Sequence, residues 1–335
     1  MAMNRTSSLR CVFLAVTLGT IAWGQTPVRG QDSAVVLRFA GDLLLAGEYE
    51  AAAGNRPGLA FEQADLFSGT TVAMVNHECP ITTRGQKVEK PYNFRMHPSY
   101  VGVIKRAGIS LVNLANNHIF DYGPEGLFDT ISYLDSAGIR HVGAGMDRRH
   151  ARAPVIIESP AGRLGFLGYY GGGEAPVATV NEPGVAPRDV AVIASDIRAL
   201  RERDSVRYVV VSLHWGTEKA DEPEISLQRF AHIVVDAGAD AVIGHHPHVL
   251  QGIERYRGAV IVYSLGNFLF GGNSRSTYDT GIFEITLGVN GPAYRFIPVG
   301  VRDWRLKILD GAEAARVTDH VRTLSQKFAQ SIFNN

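Results

Sequence analysis

Cysteine is almost absent from this chain of 335 residues, which contains only Cys11 and Cys79. If an N-terminal leader is removed, Cys79 is the single remaining thiol and no internal disulfide can form. A disulfide framework is therefore excluded. A closed structural zinc site is disfavoured, because such sites prefer thiolate ligands. We expect Cys79 to be a small buried apolar residue.

Net charge is absent too, because 33 lysines and arginines balance 33 aspartates and glutamates. No global field therefore attracts nucleic acid, and we expect no nucleic-acid partner. Apolar residues make up 45% of the chain and charged residues 20%, which indicates a packed core. After the N-terminus, no apolar run approaches the length of a membrane-spanning helix.

Residues 1–24 have the features of a signal peptide. Arg5 and Arg10 precede the apolar stretch CVFLAVTLGTIAW, which is short for a membrane span. Ala22-Trp23-Gly24 fits the small-x-small rule for cleavage, which would make Gln25 the new N-terminus. We therefore expect an exported protein, periplasmic or extracellular. The alternative is that an uncleaved N-terminal segment anchors it to the outer face of the membrane.

Short apolar runs alternate with helical patterns from residue 34 onward. Runs rich in valine, isoleucine and leucine without strict alternation predict strands that are covered on both faces. They lie at 34–40, 71–76, 110–115, 208–213, 239–244 and 259–265. Apolar residues at helical spacing predict helices around 127–134 and 227–234. The pattern therefore predicts an α/β fold.

Three further segments complete this organisation. Residues 160–190 contain GYYGGGEAPVATVNEPGVAP, and this glycine and proline content predicts a long ordered loop over a site. The Asn290-Gly291 pair between two alternating runs predicts a hairpin. We expect residues 34–285 to form the main domain and residues 286–335 to complete it with a strand and an amphipathic helix. The apolar face of that helix carries Val317, Val321, Leu324 and Phe328.

Polar groups that can bind a metal follow five of the predicted strands. They are Asp42; Asn76, His77 and Glu78; Asn116, Asn117, His118 and Asp121; His214 and Glu218; and His245, His246 and His248. Strand C-termini in α/β sheets open into the crevice where ligands bind, so these groups would share one volume. Burying so many ionisable groups without a compensating charge is costly. A divalent cation supplies that charge.

The donor types also indicate which cation binds. Imidazole nitrogens suit zinc, manganese, iron and cobalt, whereas carboxylate and amide oxygens favour harder ions. We therefore expect one or two divalent ions, with manganese, zinc or iron as the candidates. Histidines outside the pattern are interpreted as structural residues, namely His97, His141, His150, His232 and His320.

Several motifs occur together in one order. They are GD at 41–42, NHE at 76–78, ANNHIFDYG at 115–123, HWG at 214–216, GHHPHV at 244–249 and YSLGNF at 263–268. Over residues 34–285 the chain resembles the CapA family of poly-γ-glutamate capsule-biosynthesis proteins. That family is similar in turn to calcineurin-like metallophosphoesterases. The resemblance implies a metallophosphatase-like αββα four-layer sandwich with mixed sheets.

The resemblance also implies roles for individual residues. The metal ligands would be Asp42, Glu78, Asn117, His214, His246 and His248, with Glu78 bridging two ions. His118 would act as general acid, oriented by Asp121. The family pattern of Asp-x-His is replaced here by Asp42-Leu43-Leu44, which leaves one of the two metal sites short of a ligand. Two-metal phosphoryl chemistry is therefore in doubt.

Two functions remain open at this point. The first is a metal-dependent hydrolase of a phosphoester, or of an amide or ester in an envelope polymer, in capsule biosynthesis or export. Arg84, Lys87 and Lys90 could hold its anionic substrate, or could form a solvated basic loop. Glu218 is an additional candidate ligand or base. The second function is a non-catalytic accessory that binds an anionic polymer or a capsule synthase membrane protein.

Overall fold

Strands and helices alternate along the chain, as the apolar pattern predicts. In the computed structural model, which describes residues 1–2, 34–273 and 275–334, the strands are β1 (Val35–Leu44), β2 (Val72–His77), β3 (Leu111–Asn113), β4 (Arg140–Val142), β5 (Ala144–Gly145), β6 (Val155–Ile157), β7 (Leu164–Tyr170), β8 (Gly184–Val185), β9 (Tyr208–His214), β10 (Ala241–His245), β11 (Ile253–Tyr256), β12 (Ala259–Val262), β13 (Asn267–Phe270), β14 (Tyr278–Gly288), β15 (Gly291–Arg302) and β16 (Arg305–Ile308). The helices are α1 (Glu48–Ala53), α2 (Val101–Arg106), α3 (Gly123–Ser136), α4 (Arg148–Ala151), α5 (Val190–Glu202), α6 (Ile225–Asp236) and α7 (Gly311–Ser325).

The predicted signal peptide, residues 1–24, falls outside the described residues except for its first two positions. Among the described helices, none combines the length and the apolar character needed to cross a bilayer. Residues Ala34–Asn335 form a compact unit by themselves.

Most of the strands form two mixed sheets. Within the described residues, the first sheet has the order β16-β15-β14-β1-β2-β3-β4, and β13 also pairs with β1. Strands β1 to β4 are parallel, whereas β14 runs antiparallel to β1. The second sheet has the order β11-β12-β10-β9-β7-β6, with β7, β9, β10 and β12 parallel. Parallel strands of one sheet end at the same edge. The loops that follow their C-terminal ends therefore lie together at that edge.

Alternating side chains build one apolar core between the sheets and one on each outer face. Val210 of β9 packs into the core between the sheets, together with Phe39 of β1. Its neighbour Val211 packs on the outer face with residues of α5 and α6. On the first sheet, Val75 of β2 joins the outer core with residues of α2 and α3. Each fully buried aliphatic side chain contributes about 1.5–3 kcal/mol, so these three cores hold the layers together.

The layers therefore follow the order helix, sheet, sheet, helix, which confirms the expected αββα architecture. Helix α7 closes one end, because its Val317 and Val321 belong to the core between the sheets. The predicted apolar face is correct, but the helix ends at Ser325, so Phe328 packs from the turn that follows.

All six predicted strands are confirmed within a few residues. The predicted hairpin is also present as β14 and β15, but Gly288 pairs with Gly291. The tight turn is therefore Val289-Asn290, one residue earlier than the sequence indicates.

The prediction of a loop throughout residues 160–190 is wrong, because β7 is a fully buried strand at its start. The glycines that indicate a loop serve close packing instead. A Cβ on Gly168 would lie 2.2 Å from Oδ1 of Asn113 in the other sheet, so glycine allows the two sheets to approach there. Residues 171–183 remain irregular apart from an isolated bridge at Val177.

Candidate metal centre

The eight predicted site residues lie at the edge where the parallel strands of both sheets end. Asp42 lies in β1, and Glu78 directly follows β2. His214 is the last residue of β9 in the second sheet. The remaining five lie in loops: Asn117, His118 and Asp121 between β3 and α3, and His246 and His248 after β10. The first sheet therefore supplies the carboxylates, the amide and the His118 imidazole, while the second sheet supplies the three imidazoles among the predicted metal ligands.

Glycine in the GD motif is required by the backbone packing around Asp42. A Cβ on Gly41 would lie 1.8 Å from the carbonyl oxygen of Gly266, so no other residue fits without movement of the chain. The amide of Asp42 donates a hydrogen bond to the same carbonyl at 2.9 Å. This close approach fixes the backbone from which the Asp42 carboxylate enters the site.

Asn76 lies at the centre of the buried polar network, although the sequence analysis assigns it no role beyond membership of the group. Its amide nitrogen lies 2.8 Å from Oδ1 of Asp42, 3.2 Å from Oε2 of Glu78 and 3.2 Å from Nδ1 of His214. Its Oδ1 accepts a hydrogen bond from Nδ2 of Asn113 at 2.9 Å. One side chain therefore sets the spacing of two carboxylates and an imidazole that come from three different strands.

His214 lies between two predicted ligands of the first sheet. Its Nε2 is 2.9 Å from Oδ1 of Asn117 and 3.6 Å from Oε1 of Glu78, and His214 and Glu78 are fully buried. Tyr170 packs edge-on against the imidazole, with ring centroids 5.5 Å apart. The imidazole therefore packs against the ring of Tyr170 on one side and faces oxygen atoms of Asn117 and Glu78 on the other.

His246 and His248 have unusual backbone conformations. Their φ angles are 97° and 57°, in the left-handed region that residues with a Cβ avoid. Strain of this kind costs of order 1–3 kcal/mol per residue and is concentrated at functional sites. It lets the loop place the imidazole of His248 beside Asp42, with Nδ1 3.2 Å from Oδ2, and the imidazole of His246 beside Glu78 and His214. Asn267 also contacts His248, with its Oδ1 2.7 Å from Nδ1 of the imidazole.

His118 and Asp121 form the contact that the resemblance implies, with Nδ1 and Oδ2 2.8 Å apart. A third residue joins them. The ammonium of Lys90 lies 2.5 Å from Oδ1 of Asp121 and 2.7 Å from the carbonyl oxygen of Asn117. Lys90 is therefore an integral part of this network, whereas Arg84 pairs with Asp129 away from it and Lys87 is exposed.

The two buried carboxyl groups at the centre have opposite pKa shifts. Burial raises the pKa of Glu78 well above its usual value, and the negative charge of Asp42 raises it further. Burial also acts to raise the pKa of Asp42, but the hydrogen bond and charge of His248 outweigh it, and the pKa is lowered. Without a cation, the pair therefore keeps one carboxyl protonated and the other ionised.

Burial shifts the pKa values of three histidines at this edge towards the neutral imidazole, namely His214, His245 and His246. Burial lowers the pKa of His214 well below its usual value, and the charge of His246 adds to this effect. Burial likewise lowers the pKa of His246, and it lowers the pKa of His245 to about 4. Neutral imidazole is the form that binds a metal ion, so the shifts favour ligation.

The donor set fits a divalent cation. Potential ligand atoms of Glu78, His214 and His246 lie within 4.8 Å of one another, as do those of Asp42, Glu78 and His248. Oε1 of Glu78 and Nδ1 of His246 are buried and have no hydrogen-bond partner among the described residues. Buried polar atoms are normally paired, so unpaired atoms on two residues of one potential metal-binding group indicate a missing positive charge.

Other residues lie away from this cluster. Leu44 is fully buried in the outer core of the first sheet, so it replaces a polar ligand with a packing residue. Cys79 is a fully buried free thiol, as expected. The histidines that were interpreted as structural are absent from the metal-binding groups of the described residues, namely His97, His141, His150, His232 and His320.

Comparison with solved structures concerns the fold. A putative 5'-nucleotidase from Staphylococcus aureus superposes with a TM-score of 0.50 at 12% sequence identity. The match covers 87% of this chain and 58% of that chain, so this protein spans less than two thirds of the nucleotidase.

Comparison with known sequences concerns the family. The PGA biosynthesis protein CapA of Bacillus subtilis is 31% identical over 282 residues, covering 81% of this chain and 73% of its own length. The capsule biosynthesis protein CapA of Bacillus anthracis is 30% identical over 313 residues, covering 87% and 74%. Residues 36–272 match the family described as bacterial capsule synthesis protein PGA_cap. The chain therefore belongs to this family of bacterial capsule synthesis proteins.

Proposed function

We propose that this protein is an exported, metal-dependent hydrolase that acts in capsule biosynthesis. Its substrate is a phosphoester, or an amide or ester bond in an anionic envelope polymer. The observation that carries the proposal is the convergence of Glu78, His214 and His246 within 4.8 Å at the joint edge of two sheets. Buried carboxylates and neutral imidazoles in this arrangement are costly unless a cation binds them.

One or two divalent ions, of manganese, zinc or iron, are proposed to bind at this edge. The ligands are Asp42, Glu78, Asn117, His214, His246 and His248. When bound, the cation supplies Lewis-acid polarisation of a phosphoryl or carbonyl oxygen of the substrate. Asn76 keeps the two carboxylates apart and oriented, which the bound cation requires.

His118 is proposed to protonate the leaving group. Its Nδ1 faces Asp121, so its Nε2 is the nitrogen that is free to carry a proton to the substrate. Phe94 packs against the imidazole with ring centroids 4.5 Å apart and limits its rotation. Lys90 contacts the second oxygen of Asp121 and thereby fixes the carboxylate that orients the imidazole.

The biological setting comes from the relatives and from the N-terminal sequence. The names of two relatives refer to PGA biosynthesis and to capsule biosynthesis. The predicted signal peptide at residues 1–24 supports export to the periplasm or the cell exterior. An anionic polymer and capsule synthase membrane proteins are the proposed partners in that setting.

A hydrolysis assay with two matched variants tests the proposal. The purified protein, supplied with manganese, is incubated with an aryl phosphodiester, with nucleotides and with poly-γ-glutamate. We expect turnover of at least one class and its loss, by about 10²–10⁴-fold, in His118→Gln, which removes the proton donor. His150→Gln is the control, because His150 is exposed on α4, pairs with Asp147 and belongs to no metal-binding group of the described residues.

The same assay separates the second candidate function. If no substrate turns over and His118→Gln binds the polymer as tightly as the wild type does, the protein is a non-catalytic accessory. A binding module has no need for a proton donor beside its cation.

A further inference from the structure

A carboxylate outside the six proposed ligands lies at the exposed side of the metal centre. Glu218 follows β9 in the loop after the HWG motif, and its side chain is exposed to solvent. One of its oxygens and one ring nitrogen each of His246 and His248 lie within 4.8 Å of one another. These are the same two imidazoles whose strained backbone aims them into the site.

Hydrogen bonds hold the backbone of the loop that carries Glu218. The amide of Trp215 donates to the carbonyl of His245 at 3.0 Å, and the amide of Lys219 donates to the carbonyl of Pro247 at 2.9 Å. At the end of the loop, Nε2 of Gln251 donates to the carbonyl of Ala220 at 2.8 Å. Three hydrogen bonds thus join the loop that carries Glu218 to the chain that carries the two histidines.

Glu218 has no competing partner within the described residues. It forms no hydrogen bond and no ion pair there, although Lys219 is its neighbour in the chain. Lys219 has a φ of 61°, so the backbone turns sharply directly after the carboxylate. An exposed carboxylate normally gains little from one surface cation, and here it faces two imidazole nitrogens instead.

The ligand count explains why such a residue is useful. One group of ligands contains Glu78, Asn117, His214 and His246, but the other contains only Asp42, Glu78 and His248. Leu44 lies in the apolar core and cannot add a ligand.

We propose that Glu218 is a metal ligand that completes the shorter set from the exposed side of the centre. This inference rests on the proposed metal centre. It also adds a third carboxylate to the donor set, which shifts the preference from zinc towards manganese.

Titration of the metal-free protein with Mn²⁺ tests this assignment, with free Mn²⁺ measured by electron paramagnetic resonance. We expect Glu218→Gln, which keeps the size of the side chain, to weaken at least one Mn²⁺ site by tenfold or more. Asp221→Asn is the matched control, because Asp221 lies in the same exposed segment but belongs to no metal-binding group. It should bind Mn²⁺ as the wild type does, and circular dichroism should show both variants folded.

Two outcomes would overturn the assignment, and they are distinguishable. If Glu218→Gln binds Mn²⁺ with the wild-type stoichiometry and affinities, Glu218 is not a ligand and the proposed centre stands without it. If the wild type binds no Mn²⁺, and elemental analysis after supplementation finds neither zinc nor iron bound, the assignment fails together with the proposed function.

Discussion

Replacement of Asn76 by alanine should be the most damaging single change near the centre that removes no metal ligand. The side chain donates to Asp42 at 2.8 Å and to Glu78 at 3.2 Å, and it accepts from Asn113 at 2.9 Å. A hydrogen bond to a charged group contributes about 1.5–3 kcal/mol, and a neutral one about 1 kcal/mol. With Asp42 ionised and Glu78 protonated, one bond to a charged group and two neutral bonds are lost, so we expect Asn76→Ala to lower the free energy of unfolding of the metal-free protein by about 3.5–5 kcal/mol.

Urea denaturation, followed by circular dichroism with metal removed by a chelator, measures this difference. Asn55→Ala is the control, because Asn55 is exposed, and its effect should stay within about 0.5 kcal/mol. In the same proteins, calorimetric titration should show a 10–100-fold weaker metal affinity for Asn76→Ala, as is typical of residues that orient ligands. A destabilisation below about 1 kcal/mol together with wild-type metal affinity would refute the central role of Asn76.

Three further outcomes are expected. His246→Ala should lose its bound metal by elemental analysis, whereas His97→Ala, a change of an exposed histidine, should keep it. Lys90→Met should lower turnover about tenfold at unchanged metal content, because the carboxylate and carbonyl that it fixes become mobile, while Arg84→Met should leave turnover unchanged. The pKa of His245 is about 4 when folded, below the ordinary 6.5, so the unfolded chain binds more protons between these values. The free energy of unfolding of the metal-free protein should therefore fall as the pH drops from 6.5 towards 4. His245 contributes at most about 1.4 kcal/mol per pH unit to this fall. A urea midpoint that does not change over this pH range would contradict the prediction.

The strands could be predicted where both faces are covered. In YVVVSLH of β9, burial on both faces requires a continuous apolar run, and such a run can be recognised from a single sequence. Strand β7 could not be recognised in the same way, since Gly168 allows close packing against Asn113 and reads as a loop residue. Glycine used for close approach and glycine used for a turn look identical until the neighbouring layer is known.

The composition of the candidate site was predictable, but its internal connections were not. Carboxylates, amides and imidazoles after successive strands indicated a shared volume, and the structure brings them together there. The approach of Lys90 to Asp121 depends on how a long loop folds back, and no local pattern encodes it. The central position of Asn76 depends on the distances between three strands, which the order of residues leaves undefined.

The division of ligands between the sheets has a mechanical consequence. Asp42 and Glu78 belong to the first sheet and His214 and His248 to the second, and an apolar core that includes Phe39 and Val210 lies between the two sheets. An ion held by both sets would cross-link the two sheets. The affinity for that ion then depends on the relative position of the two sheets. A change of side-chain volume in the apolar core between them should therefore alter metal binding at a distance. Selection for metal affinity would in that case act on the interior of the protein as much as on its ligands.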